Sequence, residues 1–153
     1  MPIVSIGFTK VSNVANCPEL LQRLGPTIGV CIGFDPAYDD NDQNASPAIP
    51  IDQRLALVDT GTSHNAIDAK LAQQLSLPIV EKRPVSGVLG SQEVEFCRAQ
   101  IYLPQFNFSV SGTFPVIELH AGGERHDALL GRGFLRHFVL QYDGVEGSVR
   151  LMR

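Results

Sequence analysis

Arg54-Leu55-Ala56-Leu57-Val58-Asp59-Thr60-Gly61-Thr62-Ser63 runs an apolar, strand-forming segment into a carboxylate, a hydroxyl, a glycine and two further hydroxyls. An unpaired buried carboxylate is costly, so an acid at the end of a buried strand needs donors around it. Thr60, Thr62, Ser63 and a backbone N–H in the turn at Gly61 can supply them, and glycine lets the backbone come close. The expectation is a buried, hydrogen-bonded Asp59 whose pKa its surroundings can tune. A second stretch echoes the first. Ala128-Leu129-Leu130-Gly131 also leads into a turn and a helix, with Gly131 falling where Asp59 does. Two copies of strand, sharp turn and helix suggest a pseudo-twofold within the chain.

Outward from these stretches the dominant period is two. Phe106, Phe108 and Val110 alternate with Asn107, Ser109 and Ser111, and Ala99, Ile101 and Leu103 alternate with Arg98, Gln100 and Tyr102. Both read as half-buried strands. Ile3–Phe8 and Thr27–Phe34 add two more, rich in β-branched residues. Short strands punctuated by Gly and Pro point to an all-β sandwich or barrel. Helices are few: Pro18 to Gly25, Ala66 to Leu75 with Ile67, Leu71 and Leu75 on one face, and a turn or two over Phe134–Phe138. Asp35 to Pro50, about sixteen residues, is longer than most connections and reads as a solvated surface loop. Its acidic residues lack the spacing of an EF-hand.

The 153 residues carry 12 basic and 16 acidic side chains, a formal charge of −4, with 44% hydrophobic and 18% charged residues. That size and balance fit one folded domain over 1–153 and exclude wholesale disorder. The acidic balance without a basic cluster argues against nucleic acid as a partner. No apolar run is long enough to span a bilayer, and the Met1-Pro2-Ile3-Val4 start has no basic segment of a signal peptide. Three scattered cysteines, Cys17, Cys31 and Cys97, fit core positions in a reducing, cytoplasmic compartment. His120 and His126 lie in a Gly-rich stretch without zinc spacing and read as surface loop; His64 reads as a solvent-facing residue at a helix start. Ser63-His64 lacks the surroundings of a nucleophile elbow, and Gly87 and Gly90 fit no phosphate-binding pattern.

From Ile51 to Leu151 the sequence resembles the retropepsin-like, single-lobe aspartic proteases, in the family's order. Asp59-Thr60-Gly61 matches the catalytic triplet, and Pro84-Val85-Ser86-Gly87-Val88-Leu89-Gly90-Ser91 matches the Gly-rich flap that closes over substrate. Leu129-Leu130-Gly131-Arg132 matches the element packed behind the site, and Phe134-Leu135 the helix after it. Val139–Asp143 and Val149–Leu151 look like the closing hairpin of bacterial members, whereas residues 1–50, N-terminal strands and an acidic loop, match least. The resemblance implies a closed barrel with short helices and an aspartic endopeptidase that needs no cofactor or metal. Asp59 would be catalytic, Thr60, Gly61 and Thr62 would support it, and Gly87 to Ser91 would cover the substrate.

Peptide hydrolysis by carboxylates needs one ionised acid and one protonated acid, which two adjacent carboxylates arrange by sharing a proton. The sequence holds no second such triplet, and Asp143-Gly144 lacks the hydroxyl. A C2 homodimer pairing two copies of Asp59 is therefore expected. Thr62 stands where retroviral members carry Ala, and a hydroxyl bonded to the carboxylate would favour ionisation and an acidic optimum. Ser63 and His64 replace two usually acidic positions, leaving Arg132 without its usual partner, and Gly133 replaces Asn or Asp. Those departures keep a second reading open, a catalytically silent dimeric peptide-binding module on the same fold.

Overall fold

The computed structural model of the protein describes residues 1–9 and 16–153. Among the described residues there are ten strands: β1 Ile3–Ser5, β2 Thr27–Gly33, β3 Arg54–Val58, β4 Ala66–Asp68, β5 Ile79–Gly87, β6 Gly90–Leu103, β7 Phe108–Ile117, β8 Ala128–Leu130, β9 Val139–Asp143 and β10 Ser148–Met152. Three short α-helices accompany them among the described residues, α1 Cys17–Leu24, α2 Ala69–Gln74 and α3 Arg132–Leu135. The main sheet runs β2-β3-β8-β4-β7-β6-β5, and a further β2–β6 pairing closes its first six strands into a barrel. Closure leaves β5 and the start of β6 projecting as a long hairpin. A separate three-stranded antiparallel sheet, β1-β10-β9, joins the two ends of the chain. The fold is thus an all-β closed barrel with short helices.

The barrel is filled by Val30 and Ile32 from β2, Ala56 and Val58 from β3, Ile101 and Leu103 from β6, and Leu130 from β8, all buried. Complete burial of each larger aliphatic side chain contributes roughly 1.5–3 kcal/mol. Cys17, Cys31 and Cys97 are buried as free thiols, as core positions should be. Phe134 packs on Phe138 with ring centroids 4.4 Å apart, and Phe108 meets Phe138 edge-on at 5.2 Å. This aromatic cluster seats α3 against the barrel.

Several elements differ from the sequence expectation. The helix expected over Ala66–Leu75 begins only at Ala69. Ala66–Asp68 is instead a buried strand, because Ile67 pairs with Val116 of β7 and Ala128 of β8. Asp68 then caps the helix, its carboxylate accepting from the N–H groups of Lys70 and Leu71 at 3.1 and 3.3 Å. Phe106 lies in a 3-10 turn over Pro104–Phe106, closed by Asn107 at φ 46°, so β7 starts at Phe108. Gln100, expected to face water, is buried: its amide oxygen accepts from Asp35 N–H at 2.6 Å and its NH2 donates to Asp35 C=O at 3.1 Å.

The long connection between β2 and β3 is a chain of turns. Asp35 accepts from the N–H groups of Ala37 and Ala48 at 3.0 and 2.9 Å, pinning both ends of the loop. Asp39 and Asp42 accept from the N–H groups of Asn41 and Asn44. His126 does not lie on the surface but is fully buried, bonded through Nε2 to Thr27 Oγ1 at 2.7 Å and through Nδ1 to Glu124 Oε1. His120 stays partly exposed, with Nε2 3.1 Å from Asp127 Oδ1.

Candidate active site

β3 and β8 run parallel with Val58 opposite Leu130, which sets Asp59 and Gly131 side by side at the strand ends. Asp59 N–H donates to Leu130 C=O at 2.9 Å. The chain then turns through Gly61, whose N–H donates to Asp59 Oδ1 at 2.8 Å. A Cβ at Gly61 would sit 3.0 Å from that oxygen, a tight contact that glycine avoids. In the single chain the Asp59 side chain is half-buried rather than buried.

The expected hydroxyl donors point elsewhere. Thr62 Oγ1 donates to His64 C=O at 3.4 Å, and Ser63 Oγ lies 2.9 Å from His64 Nδ1. Thr60 is exposed. The backbone donor expected at Gly61 is therefore present. The Thr62 bond to the carboxylate is not, and with it goes the structural ground for an acidic optimum.

The turn over 60–65 is stitched to the start of α3. Arg132 N–H donates to Thr62 C=O at 2.9 Å and Gly133 N–H to Ser63 C=O at 3.1 Å. Arg132 Nη1 donates to Thr60 C=O at 2.8 Å, so the arginine braces the triplet through a carbonyl instead of a carboxylate. Asn65, which sequence reasoning passed over, is buried and accepts from Gly131 N–H at 2.9 Å. A polar residue on the verge of an apolar run was the only signal it gave. Gly131 must be glycine: an added Cβ would lie 2.5 Å from His64 O and 2.7 Å from Thr62 O. Leu130 is fully buried behind this crossing and Leu129 partly so.

The expected flap is an antiparallel hairpin. Gly87 pairs with Gly90 across a two-residue turn, and Gly90 takes φ 108°. Val88 and Leu89 at its tip are wholly exposed, and Ser91 pairs with Ser86. Between the outer half of β5 and the triplet lies a cleft of about 500 Å³. Gly61 to His64 form one wall, Arg83 to Gly87 the other, with Phe96 and Arg132 between them. The tip residues Val88 to Ser91 are not among these walls.

A family model described as aspartyl protease matches residues 52–134, from the approach to β3 through α3. The chain belongs to the aspartyl protease family, and its architecture is the retropepsin-like one. Among solved structures, a retropepsin-like aspartic protease from Rickettsia conorii superposes with a TM-score of 0.53 at 16% identity, over 97% of this chain and 89% of that one. EIAV protease, solved with the inhibitor HBY-793, matches at 17% identity over 73% of this chain and 86% of that one, with a TM-score of 0.46. The retroviral protease-like domain of Ddi1 from Leishmania major matches at 15% identity over 76% and 81%, with a TM-score of 0.41. No curated protein matches the sequence significantly.

Proposed function

We propose that the protein is an aspartic endopeptidase in which Asp59 from each of two subunits forms the catalytic dyad. The observation that carries this reading is the turn at Asp59-Thr60-Gly61: a half-exposed carboxylate held by a backbone N–H, beside Gly131 where a second acid would otherwise stand. One chain offers one such carboxylate, and the coupled acid–base chemistry requires two. In the dimer one Asp59 is ionised and takes a proton from water as it attacks the scissile carbonyl, while the other is protonated and stabilises the tetrahedral intermediate. Thr60, exposed in the single chain, is available to brace its counterpart across the axis. Gly61 offers its backbone to an extended peptide, and the hairpin tip Val88-Leu89 closes over it.

The test is hydrolysis of an unfolded protein from pH 3 to 8, wild type beside Asp59→Asn. Cleavage by the wild type that vanishes in the variant supports the endopeptidase. A folded dimer with no Asp59-dependent cleavage at any pH overturns it in favour of the silent peptide-binding module.

A further inference from the structure

The cleft beside the triplet has a one-sided charge. Its walls carry two guanidinium groups, Arg83 and Arg132, and the imidazole of His64, and they carry no carboxylate. Among the described residues Arg132 has no acidic partner; its one side-chain bond is to the Thr60 carbonyl, which leaves its charge uncompensated. Arg83 is held in place from below, with Cζ 4.2 Å over the ring centroid of Phe96, and that ring is 1% exposed. Stacking on an aromatic face restrains the guanidinium, and with Nε turned to Glu81 it leaves the two Nη groups to meet a ligand. Ser63 and Ser86 add hydroxyls to the same walls.

The acids paired with the hairpin's basic residues lie outside the cleft walls. Glu81 reaches Arg83 Nε at 3.3 Å, but both side chains are about half exposed, so the pair is held weakly. Glu93 lies against Lys82, 3.9 Å away, on the neighbouring position of the hairpin. Asp59, whose carboxylate accepts from Gly61 N–H, is not among the residues of the cleft walls.

We propose that this cleft is a side-chain subsite for an acidic residue, Glu or Asp, of a peptide lying extended between the triplet and the flap hairpin, and that Arg83 is its specificity-determining residue. The inference rests on the reading of the chain as a binder of extended peptide, which the endopeptidase and the silent module share. A carboxylate entering the cleft meets the Nη groups of Arg83, which can donate charge-assisted hydrogen bonds. It does so within the long-range field of Arg132. A lysine at the same position meets like charges and is rejected. A glutamine has the shape of glutamate without its charge and falls between them.

The experiment measures binding, so it does not depend on turnover. Fluorescent peptides of about ten residues, carrying Glu, Gln or Lys at each position in turn, are titrated against Asp59→Asn protein and followed by anisotropy. At one position Glu should bind about tenfold more tightly than Gln, with Lys weakest. Arg83→Gln should abolish that preference, and Arg83→Glu should reverse it toward Lys. A reversal is a gain of binding that misfolding cannot produce. The proposal is overturned if no position prefers Glu, if no peptide binds, or if the preference survives in Arg83→Glu. Acidic-peptide binding by a wild type that hydrolyses nothing would sustain the subsite and sink the endopeptidase. Asp59-dependent cleavage without charge preference would do the opposite.

Discussion

A methyl group on Gly131 would lie 2.5 Å from the His64 carbonyl oxygen and 2.7 Å from that of Thr62, both backbone atoms that cannot step aside. Gly131→Ala should therefore destabilise the protein by at least about 1–3 kcal/mol, measured by denaturant unfolding, and loosen the triplet with it. Arg132→Ala removes the donor to Thr60 C=O, and it should lower kcat more than it raises KM because the arginine positions the turn. Glu124 gives a pH-dependent case. Burial alone would raise its carboxyl, but hydrogen bonds from His126 and from the N–H of Arg125 hold it below the ordinary value of 4.5. A lowered folded-state pKa adds stability above the unfolded value and loses it as pH falls through the folded one. Glu124→Gln should thus lower Tm at pH 7, and the gap to wild type should narrow as pH falls below 4.5. Residue-scale chemistry was only partly legible in the sequence. Asp59, Gly61 and Gly131 announced themselves because a carboxylate and two glycines in those contexts have few alternatives. The directions of the Thr62 and Ser63 hydroxyls did not, because each is settled by the His64 backbone and ring.

Among the elements, the hairpin of β5 and β6 is built to be unfinished. Val88 and Leu89 are wholly exposed at its tip, and their burial contributes nothing to the isolated chain. Val88→Ser with Leu89→Ser should leave Tm within about 3 °C, since surface changes are usually worth under about 0.5 kcal/mol each. On the proposed reading the same pair should lower kcat/KM about tenfold by removing apolar cover from the bound peptide. Equal loss of stability and activity would show instead that the tip packs on the barrel. Strands β6 and β7 were readable from their alternation, although the polar positions do not all meet water: Gln100 is buried, and Phe108 to Ser111 are all half-buried. β4 was not. Ile67 and Leu71 share a helical spacing, yet Ile67 is buried by pairing between β7 and β8 before α2 begins. Long-range pairing of that kind has no local sequence signature. Gln100 was misplaced for a similar reason, since only the folded loop brings Asp35 to it.

In the whole molecule, the parallel pairing of β3 and β8 turns the internal echo of the sequence into one acid and one glycine at neighbouring strand ends. The register of this crossing was visible in advance as the coincidence of Asp59 with Gly131. The closure of the barrel by β2 was not, since residues 1–50 carry little of the family pattern. The core also dictates the state of the cysteines. Cys97 is fully buried, and burial pushes its thiol up to about 11. Cys31 is raised as well, by burial and then by the Asp52 charge. Native protein should therefore resist thiol-specific reagents at pH 8, and all three cysteines should react once it is unfolded in guanidinium. Rapid modification of the native protein would mean that the barrel opens locally.

The central claim is that two copies of Asp59 make one active site, and subunit mixing tests it most directly. Wild-type protein at fixed concentration is co-refolded with a ninefold excess of Asp59→Asn, and peptide hydrolysis is compared with that of wild type refolded alone. If the site needs both carboxylates, random pairing leaves about one-tenth of the original activity. Activity undiminished by the excess would show that a single chain, with a single Asp59, is sufficient, and would contradict the account.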